Sequence, residues 1–301
     1  FKNNIELSYQ PIDGLTLKIL GGYNYTLSHV RHYRCDMILT GDKSTGPSTL
    51  SDEMKRTVYK TFQAVADYNK SFGKHNLAAL VGYTWEDEGQ RTLSGSRNNF
   101  PSDDVPFLGA GGADGQTNGG GGYDWAIQSV FGRLTYNYDQ RYLFETTMRY
   151  DGSSRLADGH KWVSFPAFSL AWRVNEENFL KNFDKLDNLK LRFGYGVTAN
   201  TSINPYQTKG LLSKKYYNYG ENMVIGYTSS SLPDKTLTWE TTGQWNVGVD
   251  FSFFRGRLSG TVDAYLQNTH DLLLDRQLPA VSGYTSVLTN VGKTRNKGIE
   301  V

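Results

Sequence analysis

The side chains of this sequence change character at every second residue, and they do so over long runs. From Leu189, the apolar series Leu189, Leu191, Phe193, Tyr195, Val197 alternates with Lys190, Arg192, Gly194, Gly196, Thr198. Trp245, Val247, Val249, Phe251 and Phe253 alternate with Asn246, Gly248, Asp250 and Ser252. Tyr142, Phe144, Thr146, Met148 and Tyr150 alternate with Glu145, Thr147, Arg149 and Asp151 along the next such stretch. Successive strand side chains point to opposite faces, so each run has one apolar and one wet face. Eleven runs are predicted, at 4–10, 14–27, 56–70, 75–88, 125–138, 141–151, 161–174, 187–198, 239–254, 257–275 and 286–301. Most have about ten residues or more, whereas strands of soluble domains centre near about 5–6.

The connections alternate in length. Pro11–Gly14, Ser71–His75, Tyr138–Arg141 and Arg255–Gly256 are tight, and 175–183 ("NEENFLKNF") reads as a short helical turn. Ser28–Lys55, Gly89–Asp124, Gly152–His160, Ala199–Thr238 and Arg276–Thr285 are longer, and the fourth is expected to hold a small hairpin such as Tyr206–Leu212. Aromatic residues gather near run ends (Tyr9, Tyr68, Trp85, Tyr138, Tyr142, Tyr150, Trp172). Short turns at one end, long loops at the other and aromatic girdles mark an outer-membrane β-barrel. Lipid cannot satisfy backbone N–H and C=O groups, so spanning strands must pair into a closed sheet. The predicted fold class is therefore all-β, a transmembrane antiparallel barrel. Single-chain bacterial barrels use even strand numbers, so eleven runs indicate part of a larger barrel, and eleven is half of the 22 strands of plugged transporters.

Composition agrees. The chain has 301 residues, 14% of them aromatic, with 32 Gly and 8 Pro, a mix suited to strands and turns. A polar inner face accounts for a mean hydropathy of −0.53 in a membrane protein. The net charge of +2 supplies no strong field for nucleic acid. Cys35 is the single cysteine and has no internal disulfide partner. No apolar stretch reaches the ~18 residues of a membrane helix. Both ends fall within strand-like runs, so 1–301 is expected to be a barrel fragment, one domain with long outer loops.

Four ordered blocks carry a resemblance: "RYDGSSRLADGHKWVSFPAFSLAWRVNEENFLK" (149–181), "LKLRFGYGVTANTSINPYQ" (189–207), "LTWETTGQWNVGVDFSFFRGRLSGTVDAYLQNTHDLLL" (237–274) and "LPAVSGYTSVLTNVGKTRNKGIEV" (278–301). This half of the chain resembles the SusC/RagA family of TonB-dependent outer-membrane transporters; residues 1–125 are similar in style alone. The resemblance implies import of oligosaccharides or peptides across the outer membrane of Bacteroidetes-type bacteria. It further implies a SusD-like surface lipoprotein as lid, and energy passed through TonB, ExbB and ExbD to a plug. The plug, the TonB-contacting segment and further strands are expected outside these residues.

Other motifs admit blander readings. His29, His32 and Cys35 have donor chemistry suited to zinc or copper, but no second cluster offers a fourth ligand, and ordinary loop polarity is the expectation. "GAGGADGQTNGGGG" (109–122) lacks the strand-then-helix context of a phosphate loop and reads as a mobile loop serving substrate entry or lid contact. Asp103, Asp104 and Asp114 lack calcium-loop spacing, so Ca²⁺ in the loops or with a partner stays a minor alternative and no cofactor is expected. Glu86 and Glu88 share a strand face and read as solvated carboxylates rather than an acid/base pair; no nucleophile motif appears, and no catalysis is expected. Candidate contacts to substrate or lipoprotein are the loop aromatics Phe100, Trp125, Trp162, Tyr216, Tyr217, Tyr219 and Tyr227. Arg133, Arg149, Arg192 and Asp250 are placed on the inner face, where plug contact is preferred over control of charge selectivity. Two other classes remain open: a passive porin-like channel and a soluble carbohydrate-binding β-protein.

Overall fold

The computed structural model describes every residue except Lys181 and Asn182, with the backbone alone described for Ile38. Its strands are β1 (Lys2–Ile12), β2 (Leu15–Arg34), β3 (Ile38–Thr40), β4 (Lys43–Ser44), β5 (Thr49–Phe72), β6 (His75–Asn98), β7 (Thr117–Tyr138), β8 (Tyr142–Ser153), β9 (Trp162–Arg173), β10 (Leu186–Asn200), β11 (Leu212–Tyr219), β12 (Asn222–Ser229), β13 (Glu240–Phe253), β14 (Leu258–His270), β15 (Leu273–Gln277), β16 (Ser286–Asn290) and β17 (Lys293–Glu300). Eleven of them form one sheet, in the order β1-β2-β5-β6-β7-β8-β9-β10-β13-β14-β17. Every neighbour in that order is the next sheet strand along the chain. The pairs β3–β4, β11–β12 and β15–β16 are separate hairpins set within long connections.

The eleven predicted runs correspond to these eleven strands, but several limits move. β5 and β6 have 24 residues each and β7 has 22, against the about 9–11 of a tilted bilayer crossing. The added lengths, such as "GQRTLSGSRN" and "TNGGGGYD", are polar on both faces, so no hydrophobic period marks them. Thr117–Gly122 is therefore strand, where a mobile loop was expected. The run at 257–275 divides at Asp271, whose φ of +56° turns the chain out of the sheet, and β15 pairs with β16 instead. The hairpin expected near Tyr206–Leu212 lies later, at β11–β12, because Tyr206 takes a left-handed φ of +67° and leads into a 3₁₀ turn. The helical turn expected over 175–183 is a 3₁₀ turn at Val174–Glu176; Lys181 and Asn182 lie outside the described residues.

Turn chemistry fixes the tight ends. Gly14 has φ +82°, and a Cβ there would collide with the carbonyl oxygen of Asn69, so β1 and β2 are joined by a residue that tolerates the left-handed region. Between β7 and β8, Asp139 and Gln140 both take positive φ in a turn closed by the Arg141 N–H to the Tyr138 carbonyl at 2.9 Å, as the central residues of a type I′ turn do.

The chain divides into two compact units: Phe1–Ile5, Leu20–Phe62 and Glu86–Trp125 in the first, and Glu6–Ile19, Gln63–Trp85 and Ala126–Val301 in the second. In the second unit the registers show why alternation matters. Leu191 lies between Trp172 and Val249, Phe193 between Leu170 and Val247, and Tyr195 between Phe168 and Trp245. These side chains form a band on one face. Tyr195 and Trp245 have ring centroids 4.3 Å apart, Phe193 and Trp245 5.6 Å, and Phe168 and Phe193 6.0 Å; such pairs contribute about 0.5–1.5 kcal/mol each beyond area burial. Yet Val247 is 52% exposed and Leu170 46%. No described residue covers this band, which water would disfavour and hydrocarbon would not.

Candidate functional site

On the other face of the same strands the chemistry is ionic. Arg192 donates from Nε and Nη2 to the two carboxylate oxygens of Asp250, both at 2.9 Å, and from Nη2 to Asp263 at 3.0 Å. Asp250 also accepts from the Thr261 hydroxyl at 3.2 Å. A planar guanidinium held in this forked way is fixed in direction as well as charge. Arg149 donates to Asp151 at 2.8 Å and to the buried Ser129 hydroxyl at 2.8 Å, with its guanidinium 5.5 Å from the centre of the Phe131 ring. Arg133 stands opposite Thr147 and is exposed; among the described residues it makes no hydrogen bond or ion pair. A groove of 380 Å³ runs along this face, lined by Thr135, Glu145, Ser169, Lys190, Arg192 and Asn246 among others.

At the loop end of the second unit, polar connections fold over a small apolar core that the sequence reading did not find. Leu156, Ile203, Leu237 and Trp239 are buried together, with Val163, Phe165, Ala199, Leu273 and Leu288 packed against them. Trp239 meets Phe165 edge to face at 5.8 Å and donates Nε1–H to the Lys161 carbonyl at 2.8 Å. Asn290 locks the assembly: its Oδ1 accepts from the Thr238 N–H at 2.7 Å, and its Nδ2 donates to the carbonyls of Thr238 (3.0 Å) and Asp271 (2.9 Å). Asp234 accepts from the Thr236 N–H and hydroxyl and from the Thr289 hydroxyl, at 2.8, 2.6 and 2.5 Å. Burial works to raise the Asp234 pKa, but these hydrogen bonds and the nearby Arg276 charge outweigh it and hold the carboxyl below its ordinary value. The four core residues come from three polar connections, Leu237 and Trp239 sharing one, too few in each to set a period.

The predicted contact aromatics occupy four settings. Phe100, in the first unit, meets Tyr33 edge-on at 5.5 Å, and its N–H donates to the Ser48 hydroxyl at 2.8 Å. Trp125 lies in β7 and donates Nε1–H to Glu88 at 3.2 Å, with its ring 6.3 Å from that of Tyr59. Glu88 also accepts from the Tyr123 hydroxyl, and Glu86 from that of Tyr59, both at 2.9 Å. Trp162 is the first residue of β9 and stacks on Tyr150 at 5.0 Å, on the face that carries the apolar band. Tyr216, Tyr217, Tyr219 and Tyr227 lie in the β11–β12 hairpin, exposed on both of its faces. Tyr216 and Tyr227 share one face, and Lys214 lies 4.9 Å from the centre of the Tyr216 ring. Of the residues considered for metals, His29 contacts Asp52, and Asp103 accepts from the Tyr33 hydroxyl at 2.6 Å. Among the described residues no three His, Cys, Asp or Glu side chains are grouped to hold an ion.

Known proteins share this arrangement. The family model described as TonB-dependent receptor-like, β-barrel, matches residues 1–301. The chain is 34% identical to TonB-dependent receptor P3 of Formosa agariphila, over 100% of its own length and 30% of that protein. It is 40% identical to the TonB-dependent receptor SusC of Bacteroides thetaiotaomicron, over 58% of this chain and 18% of that one. It superposes on the structure of the RagAB peptide transporter with a TM-score of 0.90 at 28% identity, covering 99% of this chain and 33% of that chain. The ferric citrate transporter FecA, at 14% identity and a TM-score of 0.53, shares the fold alone over 99% of this chain and 38% of that one. The chain thus spans less than a third of the curated relatives it matches. These relatives are named as receptors and transporters, not as enzymes, and barrels of this kind reside in the bacterial outer membrane. From its first residue to its last, the chain belongs to the TonB-dependent receptor β-barrel family.

Proposed function

We propose that this chain forms part of the wall and outer rim of an importer for oligosaccharides or peptides in the bacterial outer membrane. A plug driven through TonB, ExbB and ExbD supplies the gate, and a SusD-like surface lipoprotein supplies the lid. The observation that carries this is the two-faced wall. One face bears an uncovered apolar band through Phe193 and Val247, suited to lipid. The other bears the fixed Arg192–Asp250–Asp263 network and a groove whose lining includes Glu145, Lys190 and Arg192, suited to a protein plug that must slide or unfold without leaving a buried charge unpaired. On this reading Arg133, with its uncommitted charge, takes a plug carboxylate, and Arg149, Arg192 and Asp250 shape the inner surface. The likeness to SusC and to the RagAB peptide transporter supports the substrate classes and the lid.

The β11–β12 hairpin fits the underside of that lid. Two strands alone are marginal in water, and Tyr216, Met223, Ile225 and Tyr227 leave one face apolar and exposed. Phe100 and Trp125 are tied into the rim through Ser48 and Glu88, and present their remaining surface to substrate. Uptake of labelled oligosaccharides and peptides by cells carrying the full-length protein tests the proposal. Uptake should stop when the proton gradient is collapsed and when TonB is removed. Uptake indifferent to both would identify a passive porin-like channel, and a full-length protein monodisperse without detergent would identify a soluble carbohydrate-binding β-protein.

A further inference from the structure

One strand segment has backbone to offer and no partner on one side. β8 ends at Ser153, opposite Ile127 of β7, while β7 begins at Thr117. Among the described residues, Thr117–Gly122 therefore run on past the strand that pairs with β7 on that side. Ala126 fixes which groups face that way: its N–H donates to the Ser154 hydroxyl at 2.8 Å, and its carbonyl accepts from the Ser154 N–H at 2.9 Å. The opposite parity faces β6, as the Tyr123 carbonyl does in accepting from Arg91 at 3.1 Å. With a two-residue period, Gly122, Gly120 and Asn118 each turn an N–H and a C=O to the open side.

The segment reads "TNGGGG", and all six residues are exposed. Native sheets blunt open edges with lysine, proline or bulges; none of the six residues is Lys or Pro. Four glycines weaken a strand; a Cβ added at Gly119 or Gly120 would crowd Ser94 Oγ (2.9 Å) or the Thr92 carbonyl oxygen (3.1 Å) of β6, and one at Gly122 would collide with the Gln90 carbonyl oxygen, so β6 accounts for three of them. Built at Gly121, a Cβ would meet nothing within 4 Å; the backbone there is bare. We propose that Thr117–Gly122 is an edge to which an extended peptide adds as a further strand. Donors and acceptors recurring every second residue, about 6.6 Å apart, match the repeat of an extended amide backbone. With no charge on the edge and side chains at Thr117 and Asn118 alone, pairing is tolerant of peptide sequence, with specificity left to neighbouring loops. This deepens the importer proposal by assigning a peptide-binding element, and rests on it for the peptide's being a substrate.

The test uses full-length protein in detergent and an acetylated, amidated hexapeptide of alternating threonine and valine. The peptide should bind and slow amide exchange at residues 117–122. N-methylation of the peptide amides on one edge should abolish binding, while N-methylation on the other edge should not. Asn118→Pro removes one outward donor, leaves the groups facing β6 in place, and should raise Kd at least about tenfold; Gly121→Ala should bind as the parent does. Equal binding by Asn118→Pro, indifference to N-methylation, protection elsewhere, or no binding overturns the proposal. So does a dimer by sedimentation that Asn118→Pro makes monomeric, because the occupant is then a second copy. Surface labelling of Asn118→Cys on whole cells is a separate measurement. Its failure would overturn the outward placement of the rim and not the edge pairing seen in detergent.

Discussion

Replacing Trp239 by alanine should unfasten the outer loops and leave the wall intact. Trp239 is 5% exposed and sits at the centre of the loop-end core, edge-on to Phe165 and bonded to the Lys161 carbonyl. Truncating a buried tryptophan costs about 3–5 kcal/mol, and the abandoned carbonyl is included in that range. Because Leu156, Ile203 and Leu237 are loop residues whose burial depends on one another, the loss falls on local opening of the loops. At 1.4 kcal/mol per decade it corresponds to roughly a 100- to 4,000-fold rise in the opening constant. Hydrogen exchange resolved by peptide measures this directly: amides at 154–161, 201–206 and 234–239 and in β15–β16 should lose that protection, while β8, β9 and β13 keep theirs. Trp239→Phe keeps an aromatic ring but loses the donor and part of the indole's volume, and should cost less than alanine, about 1–3 kcal/mol. If Trp239→Ala left loop exchange unchanged, or unfolded strands and loops together, the loop-end core would not be an independent unit and the reasoning would fail.

Val247→Arg places a charge on the apolar band. At the bilayer midplane this costs about 2–4 kcal/mol, to be read by urea unfolding in vesicles, whereas Asn246→Lys on the opposite face should change stability by less than about 0.5 kcal/mol. In a double-mutant cycle, Arg192→Met and Asp250→Leu together should destabilise less than the sum of the single changes. The coupling should fall near 1 kcal/mol, since the pair is partly exposed to solvent. The pH dependence follows from Asp234. Its folded pKa is lowered, so its contribution is present in full above the unfolded value near about 4 and is lost as pH falls through the folded value. Protease resistance of the β15–β16 hairpin should therefore hold from neutral to mildly acidic pH and fall below about pH 4, and Asp234→Asn should remove that dependence.

The wall was legible in the sequence because one face of each strand meets an apolar medium. Leu191, Phe193 and Tyr195 fall at every second position for that reason, and the eleven runs they exemplify are the eleven strands of the sheet. Where both faces are wet the period disappears, which is why the outer stretches of β6 and β7 read as loop and why Thr117–Gly122 read as mobile. The end of β14 was lost for a different cause. A single left-handed residue, Asp271, redirects the chain, and the strand-like "LLLD" that follows has no mark to distinguish a sheet strand from a hairpin. Among the site residues, alternation placed Arg192 and Asp250 on one face but could not show the shared contact with Asp263, which is remote in sequence. Trp162 was counted among the loop aromatics although it stands at the start of the predicted run 161–174, and its stacking on Tyr150 depends on a register that pairs it with Gly152. The loop-end core around Trp239 was illegible, because Leu156, Ile203 and the neighbouring Leu237 and Trp239 come from three connections distant in sequence, none with enough apolar residues to set a period.

The most direct test of the two-faced wall is a nitroxide scan of positions 244–252 in β13, in the full-length protein with Cys35→Ser, reconstituted in vesicles. Collisions with oxygen report the hydrocarbon, and collisions with a nickel chelate report water. Oxygen accessibility should peak at 245, 247, 249 and 251 and nickel accessibility at 244, 246, 248 and 250, in strict alternation. Equal access of the nickel chelate to both sets, or a period other than two, would contradict the assignment of this strand to a membrane-spanning wall.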